Sequence, residues 1–489
     1  MGRDRVVVVG AGPVGLLLAG ELRLGGAEVV VLERLAAPAT ESRATTLHAR
    51  TMEILDSRGL LPRLGSPPNL RRGHFAGIPL DLTLPGPFPG QWKVPQAVTE
   101  AVLQERALAL GADVRRGHTV SGVHPRADGV RVTAEGPDGE VGLDARYLVA
   151  CDGQDSTVRR LLGADFPGRA AERALLRADV AGIDVPDRRF QRLERGMAVA
   201  ARGPDGVTRL MLHEFDGDPP RDGAPPPGFA DVVDAWKRIT GEDVSGGTPL
   251  WVNAFDDASA QLAHYRHGRV LFAGDAAHRQ LPVGGQALNL GLQDAFNLGW
   301  KLAAAVRADG AAAAWAEQLL DSYHQERHPV GSRVLGGITA QAMLLLRGGP
   351  DIDALRQVFT ELIAVEEART DLAAAIAGLD VRYDLGDLPQ VGLRVPPEAL
   401  GGAAADALRA GHGVLVVPAD APGTDDRTHP ADGAPGWYPG WEGRVRTAAG
   451  PVPEPVLVRP DGHAAWAGTP HGPGPQEALR RWFGEPGTG

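Results

Sequence analysis

The stretch Val6-Val7-Val8-Val9-Gly10-Ala11-Gly12-Pro13-Val14-Gly15-Leu16-Leu17-Leu18-Ala19 is followed, after Gly25-Gly26, by Val29-Val30-Val31-Leu32-Glu33-Arg34. An unbroken apolar run reads as a strand buried on both faces. Three glycines then lead into an apolar helix, and a second apolar run ends on an acid. Each part has a physical task. Gly10 permits the tight turn out of the strand, Gly12 lets a pyrophosphate approach the backbone, and Gly15 lets the helix pack close to the sheet. The helix N-terminus offers N–H groups and partial positive charge to phosphates. Glu33 ends the second strand, where a carboxylate can accept hydrogen bonds from a ribose. The stretch therefore predicts a βαβ unit with a dinucleotide site, and by itself leaves NAD and FAD open.

Working outward, 489 residues leave room for two to four domains with ample core. The balance of 50 basic and 61 acidic residues, net −11, argues against a nucleic-acid or anionic-membrane surface. A single cysteine, Cys151, excludes internal disulfides, multi-cysteine metal sites and a C-x-x-C redox pair. The N-terminus runs directly into the first strand with no signal-peptide pattern, and the longest apolar stretch, near Leu16, is ended by Glu21. These features predict a soluble, cytoplasmic protein.

Further along, helices are predicted around Thr51–Arg58 and Val98–Leu110, separated by a Pro/Gly-rich segment of loops and short strands. Alternating apolar residues around Asp128-Gly129 and Asp138-Gly139 predict a small antiparallel meander, followed by a parallel strand, Tyr147–Ala150. Residues 173–260 change character. Strands are predicted at Ala178–Val185, Met197–Ala201, Val207–Phe215 and Leu250–Ala254, with a helix at Phe229–Thr240. Strand Val270–Ala273 and a long helix Ala287–Val306 follow. Leu319–Arg327 continues helically, Pro329 is expected to restart a helix running to about Leu346, and Asp351–Gly378 is a further helical block. Beyond a Pro/Gly linker, strands at Gly413–Val417, Pro455–Val458 and His463–Ala467 and a closing helix at Gln476–Phe483 predict a small α/β tail.

Two further motifs follow strands. Asp152-Gly153-Gln154-Asp155-Ser156-Thr157-Val158-Arg159 offers a positive-φ glycine, a helix-capping Ser156 and an arginine able to pair with pyrophosphate; read alone it is a plain strand-to-helix turn. Gly274-Asp275-Ala276-Ala277-His278 runs on to Pro282-Val283-Gly284-Gly285-Gln286-Ala287-Leu288-Asn289. Asp275 can hold polyol hydroxyls or serve as an N-cap, and the helix start after Gly285 can stabilise negative charge on a bound ring.

The three motifs, in this order and spacing, resemble the class A FAD-dependent aromatic hydroxylases, the group of para-hydroxybenzoate hydroxylase, and most closely the angucycline-type hydroxylases of aromatic polyketide biosynthesis. The resemblance spans the whole chain, including Glu41-Ser42-Arg43, Arg50-Thr51-Met52-Glu53, Val94-Pro95-Gln96, Leu320 to His324 with Glu326-Arg327, and Arg459-Pro460-Asp461-Gly462-His463. It implies an α/β fold: a Rossmann-type FAD domain (1–172 with 261–380), an inserted, mostly antiparallel substrate domain (173–260, joined by 71–97), and a thioredoxin-like C-terminal domain (390–489). It places the ADP half of FAD on Gly10, Gly12, Gly15 and Glu33 with Arg34. Arg43 and Gln96 lie along the cofactor, and Asp152, Gly153 and Arg159 belong to a motif serving FAD and NADPH. Gly274 and Asp275 take the ribitol. Pro282, Gly284, Gly285, Gln286, Ala287, Leu288 and Asn289 lie about the isoalloxazine.

The implied cycle has NADPH or NADH reduce FAD. O₂ then adds to give a flavin C4a-hydroperoxide, and one oxygen passes to an aromatic polyketide-type ring. No metal and no nucleophilic triad is required. Baeyer–Villiger oxygen insertion, antibiotic inactivation, oxygen-free reduction and a non-catalytic ligand-binding fold are the rival readings. No Trp-x-Trp-x-Ile-Pro stretch supports a halogenase. His74, His213, His278 and Trp92 are candidates for the substrate cavity, each more simply read as structural. One departure stands out: relatives continue the Gly-Gly-Gln turn with Gly-Met-Asn, and Ala287-Leu288 replaces Gly-Met here. If residue 287 needs a positive φ, alanine costs on the order of 1–2 kcal/mol.

Overall fold

The computed structural model describes residues 5–39, 44–203, 205–217, 219, 225–419, 439–468 and 474–487. The opening stretch forms strand Arg5–Val9, helix Pro13–Leu24 and strand Glu28–Glu33. Val6, Val7 and Val8 are fully buried. The first strand lies in the middle of a six-stranded sheet, with Glu28–Glu33 and Asp113–Arg116 on one side and Tyr147–Ala150, Val270–Phe272 and Arg266–His267 on the other. All pairings are parallel except the last, with Val6 opposite Val29 on one side and opposite Tyr147 on the other.

This order has a consequence for function. The chain reverses direction across the sheet at the first strand, so Arg5–Val9 and Tyr147–Ala150 diverge at a topological switch point. Ligands of open parallel sheets sit at such points, beyond the carboxyl ends of the strands. Gly10–Gly15, the Glu33 carboxylate, Asp152-Gly153 and Gly274-Asp275 all leave the sheet at that edge.

Helix Gln286–Val306 packs on Pro13–Leu24 at very short range. A Cβ added at Gly299 would lie 2.4 Å from Glu21 Cβ. The expected meander is present as strands Thr119–Pro125, Val130–Gly136 and Gly139–Ala145.

A second sheet is wholly antiparallel, in the order Arg188–Leu193, Gly196–Arg202, Val207–Glu214, Ala174–Ala181, Thr248–Asp256. Helix Phe229–Thr240 falls where predicted. Its Val232, Ala235, Trp236 and Ile239 form one apolar stripe against Ala178, Ala198, Leu210 and Leu212. The opposite face, with Leu175, Met197, Val199 and Met211, packs toward hairpin Arg72–Phe75/Ile78–Asp81 and toward Leu281 and Val283.

Three expectations are corrected. The strand placed at Ala178–Val185 is Ala174–Ala181, ending before the positive-φ Gly182. Arg188–Leu193 was not foreseen. Pro329 does not restart a helix: Ala313–Leu346 runs through it unbroken. Proline costs a helix at least one hydrogen bond, and here neighbours pin the turn from outside. Arg327 donates to Asp294 and to the Leu290 carbonyl, and Gln261 donates to the His328 carbonyl. The block after Asp351 is two helices, Pro350–Ile363 and Glu366–Ala377.

In the tail, strands Val445–Gly450, Gly413–Pro418, Val456–Val458 and Ala464–Ala467 form one sheet in that order, the first pair parallel and the others antiparallel. Helices Gly401–Arg409 and Gly474–Phe483 complete it, in the thioredoxin-like arrangement. Among the described residues no helix is long and apolar enough to cross a membrane.

Candidate cofactor and substrate site

The three glycines of the opening motif have separate structural reasons. Gly10 has φ +104°, and a Cβ there would lie 2.4 Å from the Cys151 carbonyl oxygen. A Cβ on Gly15 would lie 2.0 Å from the Gly10 oxygen. Gly12 has ordinary extended geometry, φ −77°, ψ 179°, and a Cβ there would meet nothing within 4 Å. The middle glycine is thus unexplained by the protein's own packing, as expected of a position that a ligand approaches. The helix that follows has no side-chain cap and no acid in its first turn, so its N-terminal field is uncompensated from within.

Glu33 closes the loop: one carboxylate oxygen accepts from Ala11 N (2.8 Å) and the other from Leu35 N (2.8 Å). Arg34 beside it is exposed. Gln96 begins helix Gln96–Ala109, accepts from Ala44 N and donates to Glu100. Arg43, with Glu41 and Ser42, lies outside the described residues.

Asp152 takes Val158 N on one oxygen, while its other oxygen is buried without a protein partner. Burial, opposed by the hydrogen bonds from Ser156 and Val158, leaves its pKa raised. Such an orphaned acceptor is costly unless a ligand satisfies it. Next to it, Gly153 has φ +82° and open space where a Cβ would be. Ser156 caps the next helix by accepting from Arg159 N. The half-buried Arg159 guanidinium donates to the Ala276 and Gln154 carbonyls and lies 3.9 Å over Phe166. It therefore ties the second motif to the third.

Gly274 has φ +63°, and its N–H is accepted by the buried Asp294, which also takes His278 (2.8 Å) and Arg327 (2.7 Å). That triad sets the turn carrying the exposed Asp275. Pro282 is exposed. The positive-φ positions of the last loop are Gly284 (+69°) and Gly285 (+68°), and Gly285 is the N-cap. Residue 287 lies inside helix Gln286–Val306, so the alanine there carries no left-handed strain. Leu288 is half-buried and Gln286 buried. Asn289 is fully committed to the protein: its oxygen accepts from His48 N and Thr51 Oγ1, and its nitrogen donates to the Thr46 and Gly285 carbonyls. It staples the Gly-Gly loop to strand Thr46–His48.

Three motifs thus converge on one sheet edge with an open glycine cradle, an orphaned buried carboxylate oxygen and two uncapped helix starts. A profile described as FAD binding domain matches residues 3–337, and one described as aromatic-ring hydroxylase, C-terminal, matches residues 388–486. The chain belongs to the FAD-dependent aromatic-ring hydroxylase family.

Members of this family similar to the chain include a 12-dehydrotetracycline 5-monooxygenase/anhydrotetracycline 6-monooxygenase of Streptomyces rimosus, 40% identical over 99% of both chains. A dialkyldecalin synthase of Streptomyces rugosporus is 39% identical, covering 98% of this chain and 99% of its own. The crystal structure of CabE, an aromatic hydroxylase from angucycline biosynthesis, is 44% identical over 99% of each chain, with a TM-score of 0.89.

Of the cavity candidates, His213 and His278 are structural. His213 faces the Ala174 and Leu346 carbonyls, and His278 is fully buried on Asp294. Trp92 packs edge-on against Phe88, with ring centres 6.2 Å apart. His74 is different: its ring lies 4.1 Å from that of Phe190, tilted by 46°, and it accepts from Gly77 N.

Sequence reading missed His48, whose Nε2 donates to the Gly284 carbonyl (2.8 Å), and Asp294. Asp294 was detectable in principle. Asp294, Asn297 and Lys301 form an i, i+3, i+7 polar stripe on a helix whose other residues in that stretch are apolar, the mark of a buried polar seam. His48 gave no such signal, because its partner lies far along the chain.

Burial, with Arg189, Lys93 and His48 nearby, lowers the His74 pKa to about 4. The unfolded state then binds more protons below pH 6.5, so this histidine's contribution is present above that value and is lost as pH falls toward 4. Between pH 7 and 5 the loss amounts to about 1–2 kcal/mol. Urea unfolding of flavin-stripped protein at the two pH values is expected to show a smaller loss in His74→Gln; equal losses would refute the assignment.

Proposed function

We propose that this protein is an NAD(P)H-consuming FAD monooxygenase that hydroxylates an aromatic polyketide-type substrate. The observation that carries the reading is the convergence of the three motifs at one sheet edge, with the apolar face of the antiparallel sheet (Leu175, Met197, Val199 and Met211) packed toward Leu281 and Val283 of the third motif. In this assignment residues 1–172 with 261–380 form the cofactor domain, 173–260 with 71–97 the substrate domain and 390–489 the tail.

Gly10–Gly15 and the helix behind them take the pyrophosphate, Glu33 the adenosine ribose, Asp152 a polar group of the cofactor, and Asp275 the ribitol. Bound FAD supplies the NAD(P)H-driven activation of O₂ and the delivery of one oxygen atom to the ring. The chain's part is to orient and to exclude water. Asp294 fixes the Gly274 turn, Asn289 and His48 fix the Gly284-Gly285 loop, and the N-terminus of Gln286–Val306 places positive potential where ring charge develops. Leu281 and Val283 close the apolar side.

NADPH oxidation is expected to quicken on adding a polycyclic phenol, with a product one oxygen heavier by mass spectrometry. Equal rates with and without every aromatic tested would count against hydroxylation. The dialkyldecalin synthase relative motivates a second reading, rearrangement without oxygen gain, and an isomeric product of unchanged mass would establish it. Asp275→Ala is expected to purify largely without flavin; full occupancy would remove Asp275 from the site.

A further inference from the structure

Beside the Gly284-Gly285 loop lies a group of basic side chains for which the cofactor assignment has no use. Strand Thr46–His48 pairs antiparallel with Gln91–Lys93, Thr46 opposite Lys93 and His48 opposite Gln91. Side chains two apart on a strand share a face, so Thr46, His48 and Lys93 point the same way. That face looks at the loop: a Cβ on Gly285 would lie 3.0 Å from Thr46 Cβ and 3.5 Å from His48 Nε2. Lys93 Nζ donates to Thr46 Oγ1 (2.8 Å).

His48 is 1% exposed. Its Nε2 faces a carbonyl and so carries the ring proton, which leaves Nδ1 a lone-pair acceptor. That Nδ1 is buried with no partner.

The remaining members arrive from the substrate sheet and its hairpin. The pairing of Arg188–Leu193 slips between Arg188 and Gln191, and the resulting bulge carries Arg189 and Phe190. Phe190 adopts φ +47°, a left-handed conformation that an aromatic residue holds only under constraint. Its ring packs, tilted, against His74. Arg189 donates to the Arg72 carbonyl on the same hairpin.

The charged groups that act on His48, His74 and Lys93 are these three themselves and Arg189; no carboxylate is among them. Burial and Arg189 hold the Lys93 pKa at about 8, leaving it mostly charged at neutral pH. An uncompensated basic group beside an orphaned acceptor, maintained by a strained bulge, is built for a ligand that brings negative charge and a hydroxyl.

We propose that Lys93, Arg189 and His74 form the subsite for an anionic oxygen on the planar aromatic substrate, an ionised phenol or a carboxylate, and that His48 Nδ1 accepts from a hydroxyl beside it. The inference rests on the aromatic-substrate reading above and names the part of the substrate that fixes its orientation.

The test is equilibrium binding to the flavin-loaded protein, read from the flavin absorbance, with three probes of one shape: rhein, which bears a carboxylate; alizarin, which bears ionisable phenols; and uncharged anthraquinone. Lys93→Met is expected to weaken rhein, alizarin or both at least tenfold while changing anthraquinone less than twofold, and the affected probe identifies the oxygen. Lys93→Arg is expected to stay close to wild type. Arg189→Gln, at an exposed position, repeats the test should Lys93→Met fail to fold. Equal weakening of all three probes, or none, overturns the subsite and leaves the aromatic reading intact. Wild-type protein that binds none of the three overturns both.

Discussion

Glu326→Ala is expected to lower the unfolding temperature by roughly 5–10 °C and to loosen the tail domain. Glu326 lies at the centre of a buried set. Both its oxygens accept from Arg459 (2.7 and 2.8 Å), and one also accepts from Asn297 Nδ2 (2.6 Å) and is ion-paired with Lys301 Nζ (2.9 Å). Arg459 and Lys301 are wholly buried. Burial pushes the Glu326 pKa up, and Arg459 and Lys301 outweigh it and hold the value at about 2. Burial, only partly offset by Glu326, brings Lys301 down to about 8. Removing the carboxylate leaves the buried Lys301 without an ion-pair partner and Arg459 with Asp461 alone, and breaking one partner out of such a set costs about 3–5 kcal/mol. That is a large part of the ~5–15 kcal/mol that holds a domain folded.

Arg459 belongs to the tail, while Glu326, Asn297 and Lys301 lie on the two long helices. Arg58 donates from the cofactor domain to the Leu408 and Pro460 carbonyls, and Arg50 to that of Asp461. Limited proteolysis of Glu326→Ala is therefore expected to release the tail first. The double variant Glu326→Leu/Lys301→Met, which removes charge from both sides, is expected to recover much of the loss. A Glu326→Ala protein that unfolds within about 1 °C of wild type would refute the account.

What could be read from the sequence depended on how local the cause is. The parallel strands are unbroken apolar runs, their turns are glycines, and the stripe of Phe229–Thr240 repeats with the helix period; each signal sits within a dozen residues. Arg188–Leu193 carries three arginines because it is an edge strand with one side unpaired, and edges tolerate charge that interior strands do not. Val445–Gly450 pairs at the sheet margin with alanine and glycine where β-branched residues would have marked a strand. Pro329 read as a break because proline taken alone breaks helices, and the contacts that hold its turn come from Gln261, Leu290 and Asp294.

The same division runs through the site. Gly10, Asp152 and Gly274 follow their strands directly and were visible. The His48–Gly284 bond and three of the four contacts of Asn289 join segments more than two hundred residues apart, and no local pattern announces them. The Asn289 side chain spends all its hydrogen bonds on the loops around it, while Arg159 keeps further N–H donors beyond its bonds to the Ala276 and Gln154 carbonyls.

Gly12→Leu is expected to abolish flavin retention and leave the fold standing. The three glycines of the opening motif make this a clean experiment because their surroundings differ. At Gly15 a Cβ would sit 2.0 Å from the Gly10 oxygen, and at Gly10 a Cβ would sit 2.4 Å from the Cys151 oxygen. Substitution at either forces strand and helix apart and confounds folding with binding. Gly12 has backbone angles open to any residue and empty space at the Cβ position, so leucine costs the ligand-free protein little. The unfolding midpoint is expected within about 2 °C of flavin-stripped wild type, as for a substitution that disturbs no packing. The leucine side chain would then stand over the uncapped start of helix Pro13–Leu24, where the backbone N–H groups must approach a pyrophosphate closely. Loss of that approach is expected to weaken FAD at least a hundredfold, about 2.7 kcal/mol, so the variant purifies colourless and regains little flavin on dialysis against FAD. Gly15→Leu, by contrast, is expected to be insoluble. A folded Gly12→Leu protein with full flavin would mean that the pyrophosphate passes elsewhere, and the assignment of the opening motif would fall with it.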